Sequence, residues 1–545
     1  MIKKILPALL TAAMSYSCSF LDTDVYGNLN TDILYRNEKS CTAGLYGIYD
    51  KLQSEGAYGC NLWADLDAGT DILVWNRGYG ANEPKICLYN YNNTLSALDK
   101  SWTDLYEGIN RANDYISLLE QRSDEECGSA RNKSMFLGEA KALRALFYMN
   151  LVAFWGEVPL RTEPTQDLSV QQKPRASQED IYARIIDDLL AAAAGCLPAD
   201  ELDSPGRIAK TTAQALLARA YMWKAGYPVY ADTWDDALYW ARQVRDSGLH
   251  RLYRDEDGMN GYCALFKNMC SNLYDLSYRE SMFEVEFYGN GVSDRSDEAG
   301  VVGLYLGVMQ GLQTDEDVPF AYAWYDSTNY LFHLYEPGDA RRWWNIADYR
   351  YETVDGKAVE VPVDKEKTDD GNPGKWRAKY DPVRPWARNN SSINFPVMRY
   401  SDVLLMIAEC ANEVNGGPTE EAVEAVNEVR ERAGASPVSI EAYSSVGQFR
   451  SLVRDERTRE LCFEVPRRME LRRFGEEYFM QQVQSMGREE EITDKDGRKY
   501  IVGYQQNSVN YKWLAGQNVA ARHVYFPIPQ SELNTNPTCG QNIRW

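Results

Sequence analysis

The chain has 545 residues, 44% of them hydrophobic and 25% charged, enough to bury a large core without disulfide staples. Its formal charge of -22 excludes nucleic acid as a partner, because phosphate binding needs a basic surface, and leaves no basic handle for anionic membranes. Tyr (37) and Trp (14) are abundant, whereas the three histidines, His250, His333 and His523, are far apart, have no ligand-like spacing and give no sign of a metal site or a catalytic triad.

Lys3 and Lys4 precede an apolar stretch, Ile5 to Met14, followed by Ser15-Tyr16-Ser17-Cys18. A basic start and a short apolar run predict a secretory leader over residues 1–17, too short for a spanning helix. Small residues before a cysteine resemble a lipoprotein lipobox, which implies cleavage before Cys18 and its acylation; Tyr16 departs from the small-residue pattern. The ten later cysteines form no C-x-x-C pair, and Cys410 and Cys462 fall inside apolar helical patterns.

Helical periodicity dominates the chain. Cys41, Leu45, Ile48 and Leu52 share one face, and Trp102, Leu105, Ile109, Ile116 and Leu119 form a longer stripe. Further helices are predicted over Met135 to Trp155, after the cap Ser177, over Thr211 to Lys224 and over Trp234 to Val244. A late pair, Ser401 to Val414 and Thr419 to Ala433, flanks the turn Asn415-Gly416-Gly417-Pro418. The segments Ala142 to Met149 and Ala215 to Met222 share A-L-x-A-x-x-Y-M at a spacing of 73 residues. That is about two 34-residue tetratricopeptide units, or one unit stretched by a loop. The prediction is a mostly α fold, an α-solenoid core of tetratricopeptide-like helix pairs at about 38–250 and 396–480.

Residues 251–395 break the pattern. Phe283, Val285 and Phe287 alternate with Glu284 and Glu286 as a short strand, and Phe320 to Tyr351 holds eleven aromatics where about four are expected. This reads as a large loop-rich insertion with short strands, since helix pairs resume after it; loops mounted on a rigid frame are where function concentrates.

Several motifs then fall in a telling order: Cys18-Ser-Phe-Leu-Asp-Thr-Asp24, Trp102-x-x-Leu-Tyr-x-Gly-Ile-Asn-x-Ala-Asn113, Gly138-Glu-Ala-x-Ala-Leu-Arg-Ala145 and Gly206-Arg-Ile-Ala-Lys210. They continue with Arg399-Tyr-Ser-Asp-Val-Leu-Leu-Met-Ile-Ala-Glu409, Glu424-x-x-Asn-x-Val-Arg-x-Arg-Ala-Gly434, Glu456-Arg-x-x-Glu-Leu461 and Phe526-Pro-Ile-Pro529. Over essentially its whole length the chain resembles the SusD/RagB family of outer-membrane lipoproteins. Val465-Pro466 and Met469-Glu470 depart from the family pattern. The resemblance implies a single domain over 18–545, lipid anchorage facing the cell exterior, and a SusC-like TonB-dependent transporter as partner. Its implied ligand is an oligosaccharide, in some members a peptide.

Sugar rings offer apolar faces and hydroxyls, so a binder supplies aromatic platforms and hydrogen-bonding groups. Trp75, Arg77 and Tyr79 in an early glycine-containing loop, with Tyr288, Trp324 and Tyr325 opposite, are the expected ligand-binding residues; Asp71 is a further candidate for addressing hydroxyls. Trp343-Trp344 reads as structural. Glycosidases need two carboxylates roughly 5 to 10 Å apart, and pairs such as Asp65 and Asp67 stand in no catalytic motif; Asp187-Asp188 and Asp235-Asp236 are expected to face solvent. No P-loop, G-x-S-x-G or H-E-x-x-H occurs, and Asp294 to Glu298 and Asp315 to Asp317 match no calcium loop. The reading is a glycan-capturing protein without cofactor or metal and not an enzyme; a peptide- or protein-binding repeat scaffold is the alternative.

Overall fold

The computed structural model describes residues 34–76, 86–165, 172–288, 300–311, 318–493, 497–506 and 512–545. Six helices form the first part of the frame: α1 (Glu38–Tyr49), α2 (Ser96–Glu120), α3 (Ala130–Trp155), α4 (Gln178–Gly195), α5 (Lys210–Ala225) and α6 (Trp234–Asp246). Each from α2 onward packs on the next, as stacked repeats require. The predicted start at Ser177 is observed, its hydroxyl accepting the Asp180 amide. Helix α3 is buried nearly all round from Met135 to Trp155, which is why no narrow apolar stripe marks it. It approaches α2 closely at Gly108, where a Cβ would collide with the ring of Phe147.

The middle of the chain follows with α7 (Gly261–Cys270) and three short helices, α8 (Val302–Tyr305), α9 (Asn329–Leu334) and α10 (Arg342–Asn345). Four two-stranded antiparallel sheets complete it: β1 (Leu73–Trp75) with β3 (Tyr325–Ser327), β2 (Ser281–Val285) with β6 (Phe395–Arg399), β4 (Tyr349–Val354) with β5 (Lys357–Pro362), and β7 (Glu490–Thr493) with β8 (Lys499–Val502). Strand β2 is buried on both faces, contrary to its alternating pattern, because Glu284 accepts from Asn394 Nδ2 at 3.0 Å.

The frame resumes with α11 (Tyr400–Asn415), α12 (Glu420–Arg432), α13 (Val446–Leu461), α14 (Arg467–Arg472) and α15 (Glu476–Ser485), then the short α16 (Leu514–Asn518) and α17 (Gln530–Thr535). Helix α11 packs on α6, although the whole of 251–395 lies between them in sequence. The insertion therefore leaves and re-enters the stack at one place, with β2 and β6 paired at its neck.

A buried ion network joins insertion and frame. Glu460 accepts from Arg341 (3.1 Å), Arg399 (2.9 Å) and Arg432 (2.5 Å), all almost completely buried. Arg341 also holds Asp339 and Glu456, and Arg399 reaches Glu280 and Glu464, which in turn takes Lys375. A second buried cluster joins Arg457 to Asp402 and Glu470, and Glu470 meets Arg473. Pro466 precedes α14 at a position where no amide is needed, so the departure at Val465-Pro466 and Met469-Glu470 builds a helix start and a network member. Asp188, expected in solvent, is buried and gripped by Arg144 at 2.7 and 2.8 Å; Asp187 beside it is exposed.

Among the described residues no helix is long and apolar enough to cross a membrane, and no group of three or more His, Cys, Asp or Glu side chains could hold a metal ion.

Two outcomes are expected. Glu460→Gln leaves buried arginines short of a counter-charge and should cost about 3–5 kcal/mol, read as a lowered urea midpoint. Neighbouring arginines overcome the burial cost at Glu456 and hold its carboxyl at about 2, below its ordinary 4.5. Its contribution is complete above 4.5 and lost as pH falls toward about 2, so stability measured by denaturation should decline over that window.

Candidate functional site

The aromatic-rich part of the insertion gathers into one face. Phe320, Tyr322 and Trp324 alternate with the buried Ala321 and Ala323, so the run carries a ring at every second position. Helix α8 fixes that run through its carbonyls: Tyr322 and Ala323 donate to Leu304 O (2.9 and 3.1 Å), and Trp324 donates to Tyr305 O (3.2 Å). Ala323 adopts a left-handed φ of 45°, a conformation that costs an ordinary residue about 1 kcal/mol or more. The turn it makes accompanies the stacking of Trp324 on Tyr305, with centroids 4.1 Å apart and planes at 23°. Tyr322 lies 5.4 Å from Trp324 and 4.6 Å from Phe320.

Polar groups border these rings. The Arg388 guanidinium stands 4.5 Å from the Phe320 centroid and 5.7 Å from that of Tyr322, whose hydroxyl donates to Asn389 Oδ1 at 3.1 Å. Arg388 and Asn389 are exposed, and Tyr305, Tyr322 and Trp324 are half-buried. A partly wet surface, with Trp324 stacked on Tyr305, Tyr322 tilted against both and an Arg and an Asn at its edge, can hold an apolar sugar face and address its hydroxyls.

The expected residues separate into three groups. Trp75, Trp324 and Tyr325 come together, because β1 pairs Trp75 with Tyr325 and places its ring 6.3 Å from Trp324. Yet Trp75 is 5% exposed and Tyr325 0%, so these two back the platform while Trp324 presents it. The Tyr325 hydroxyl donates to Asp65, whose carboxyl burial pushes above its usual range. Asn76 extends the pairing, its amide donating to Trp324 O at 3.0 Å. Tyr288 is 78% exposed and makes no ring contact with this cluster among the described residues. Arg77, Tyr79 and Cys18 lie outside the described residues, as do Asp294 to Glu298 and Asp315 to Asp317.

Other candidates are tied up in the core. Asp71 is buried and held by Arg467 at 2.6 and 2.8 Å, so it is not available to hydroxyls. Asp67 accepts the amides of Arg467 and Arg468 at the start of α14. Trp344 is buried beneath Arg377, 3.9 Å from its ring, in keeping with a structural role. His250 bonds Thr211 and the Arg279 carbonyl, while His523 packs between Tyr89 and Tyr91. The sequence reading missed Tyr305, Tyr322, Arg388 and Asn389. Phe-Ala-Tyr-Ala-Trp at 320–324 was a usable signal, because alternation with small residues marks a one-sided strand.

Comparison with known proteins agrees with this architecture. Residues 335–545 match the model of the SusD family, and residues 19–222 match a model described as starch-binding associating with outer membrane. A SusD-like protein of Formosa agariphila is 25% identical over 96% of this chain and 94% of its own. The solved structure of a SusD homologue from Bacteroides thetaiotaomicron superposes with a TM-score of 0.79 at 28% identity, covering 94% of this chain and 98% of that one. A laminarin-binding SusD-like protein gives a TM-score of 0.68 at 25% identity, covering 94% of this chain and all of its own. With two family models spanning both ends of the chain and a solved member matching its fold almost end to end, the chain belongs to the SusD/RagB family.

Proposed function

We propose that this protein captures oligosaccharide at the outer membrane and delivers it to a SusC-like TonB-dependent transporter. The observation that carries the reading is the Tyr305–Trp324–Tyr322 face, held open by the α8 carbonyls and edged by Arg388 and Asn389. Trp324 and Tyr305 supply the stacking surface, and Trp75 and Tyr325 stiffen it from behind. Arg77, Tyr79 and Tyr288 are retained as ligand contacts. Pinning by main-chain hydrogen bonds means that little ordering cost falls on the complex. The family description that names starch and outer membrane, and the relative named for laminarin, support a glucan as the first ligand to try. Acylation at Cys18 after removal of residues 1–17 would tether the single domain of 18–545 to the outer leaflet, since stable anchoring takes more than one acyl chain.

Two measurements test this. Calorimetric titration of the detergent-solubilised full chain against starch, laminarin and other polysaccharides should give a ligand whose affinity Trp324→Ala and Tyr305→Ala each lower by about tenfold or more. A panel without a hit would turn the search to peptides. Cys18→Ala should shift the protein from the membrane fraction to the soluble fraction; unchanged membrane retention would remove the lipid-anchor assignment.

A further inference from the structure

A second cavity, of about 1170 Å³, opens between α9, the loop at 365–369, the facing residues of α12 and α13, and the hairpin β7–β8. None of its lining residues belongs to the Tyr305–Trp324–Tyr322 face. Seven Arg and Lys side chains line it against four Asp and Glu, in a chain whose overall charge is -22. A cationic concavity on so acidic a molecule concentrates anions locally.

Two of those cations form no ion pair among the described residues. Arg342 is half-buried, stands 5.0 Å from the Phe332 ring and donates to the carbonyl of Tyr335. It forms no ion pair among the described residues, and its Nε is buried without a hydrogen-bond partner. That burial draws its pKa below the usual guanidinium range. Lys365 is exposed over Trp343, 5.1 Å from the ring, and it too has no ion pair among the described residues. Phe332 and Trp343 are themselves edge-to-face at 5.3 Å, so one aromatic pair carries both cations. In contrast, Arg430 is neutralised by Glu336 and Glu456, and Arg459 by Glu456. Half-burying a guanidinium without an ion-pair partner is costly, and a ligand anion would supply that partner.

The groove also offers a flat surface. His333 and Tyr500 lie parallel, with centroids 3.8 Å apart and planes at 11°, and both are half-buried in the cavity wall. A stacked pair of this kind suits the apolar face of a sugar ring better than the irregular outline of a peptide.

We propose that this groove is a second saccharide site, distinct from the aromatic face, and that it takes an acidic sugar whose carboxylate or sulfate is received by Arg342 and Lys365 while its ring lies against His333 and Tyr500. The assignment does not depend on which neutral glycan occupies the first face, or on whether one does.

The test is calorimetric titration of the detergent-solubilised full chain with tetragalacturonate, with a sulfated chondroitin tetrasaccharide, with hexaglutamate and with laminarin. Binding of the uronate or the sulfated sugar is expected, weakening as salt rises. Lys365→Glu and Arg342→Gln should each lower that affinity by about tenfold or more, and excess laminarin should not displace the acidic sugar. The two anionic arms decide which acid the site prefers. Lys365 is exposed, so its charge reversal remains informative even where Arg342→Gln disturbs the loop it caps. The proposal fails when neither acidic sugar binds, when Lys365→Glu leaves the affinity unchanged, when laminarin displaces the ligand, or when hexaglutamate binds as tightly.

Discussion

The structure depends on charges that have been taken out of water. Glu460, on α13, is shared by Arg341 from the insertion, Arg399 from β6 and Arg432 from α12, and the side chains of that set are almost completely buried. Taking so many ions from water costs several kcal/mol per ion, and their mutual attraction offsets this only when every hydrogen bond is made. The network is therefore weak as a source of net stability and strong as a constraint on geometry. A helix that shifted by one residue would strand buried charges on both sides. Loops without regular hydrogen bonding are thereby held to a frame of helices with the accuracy that a packed core alone does not impose on polar chain.

The binding surface inherits that accuracy. The platform lies between β1–β3 on one side and α8 on the other, and Asn345 of α10, just beyond Arg341, bonds the Tyr335 hydroxyl and the Arg459 carbonyl. Trp324 thus stands on main-chain bonds to α8, and the chain that carries it continues into residues locked by the ion network. Positioning of this kind suits a binder whose ligand has few strong contacts, because a gap of roughly 0.5–1 Å already forfeits about a quarter to a half of the contact energy.

Much of the frame was legible in the sequence because helices that bury one stripe announce themselves by period; α1, α2 and α6 are of this kind. Helix α3, buried all round, was legible through its Ala-rich composition and its glycine stop, Gly156. The site was legible only in part. Trp75 and Tyr325 looked like contacts because they are aromatic and near loops, yet β1 and β3 are buried on both faces, and what covers a strand comes from segments far away in sequence. Asp71 and Asp188 misled for the same reason: their partners, Arg467 and Arg144, are invisible until the chain is folded. The motifs that carried the family resemblance, Arg399 to Asp402, Glu424 to Arg432 and Glu456 to Glu460, supply much of the buried network. A family signature here is largely a wiring diagram of charges, which explains why composition and periodicity did not reveal its purpose.

The pairing of β2 with β6 has a consequence for how such a protein can change. Because the insertion departs and returns through one narrow neck, the segments between its anchors, Glu280, Arg341 and Lys375, can lengthen or shorten while the helices stay in place. Each added residue in such a closed loop raises the entropic cost only logarithmically. Appetite can thus be rewritten by exchanging stretches of loop between fixed posts, with the scaffold inherited intact and only the menu replaced.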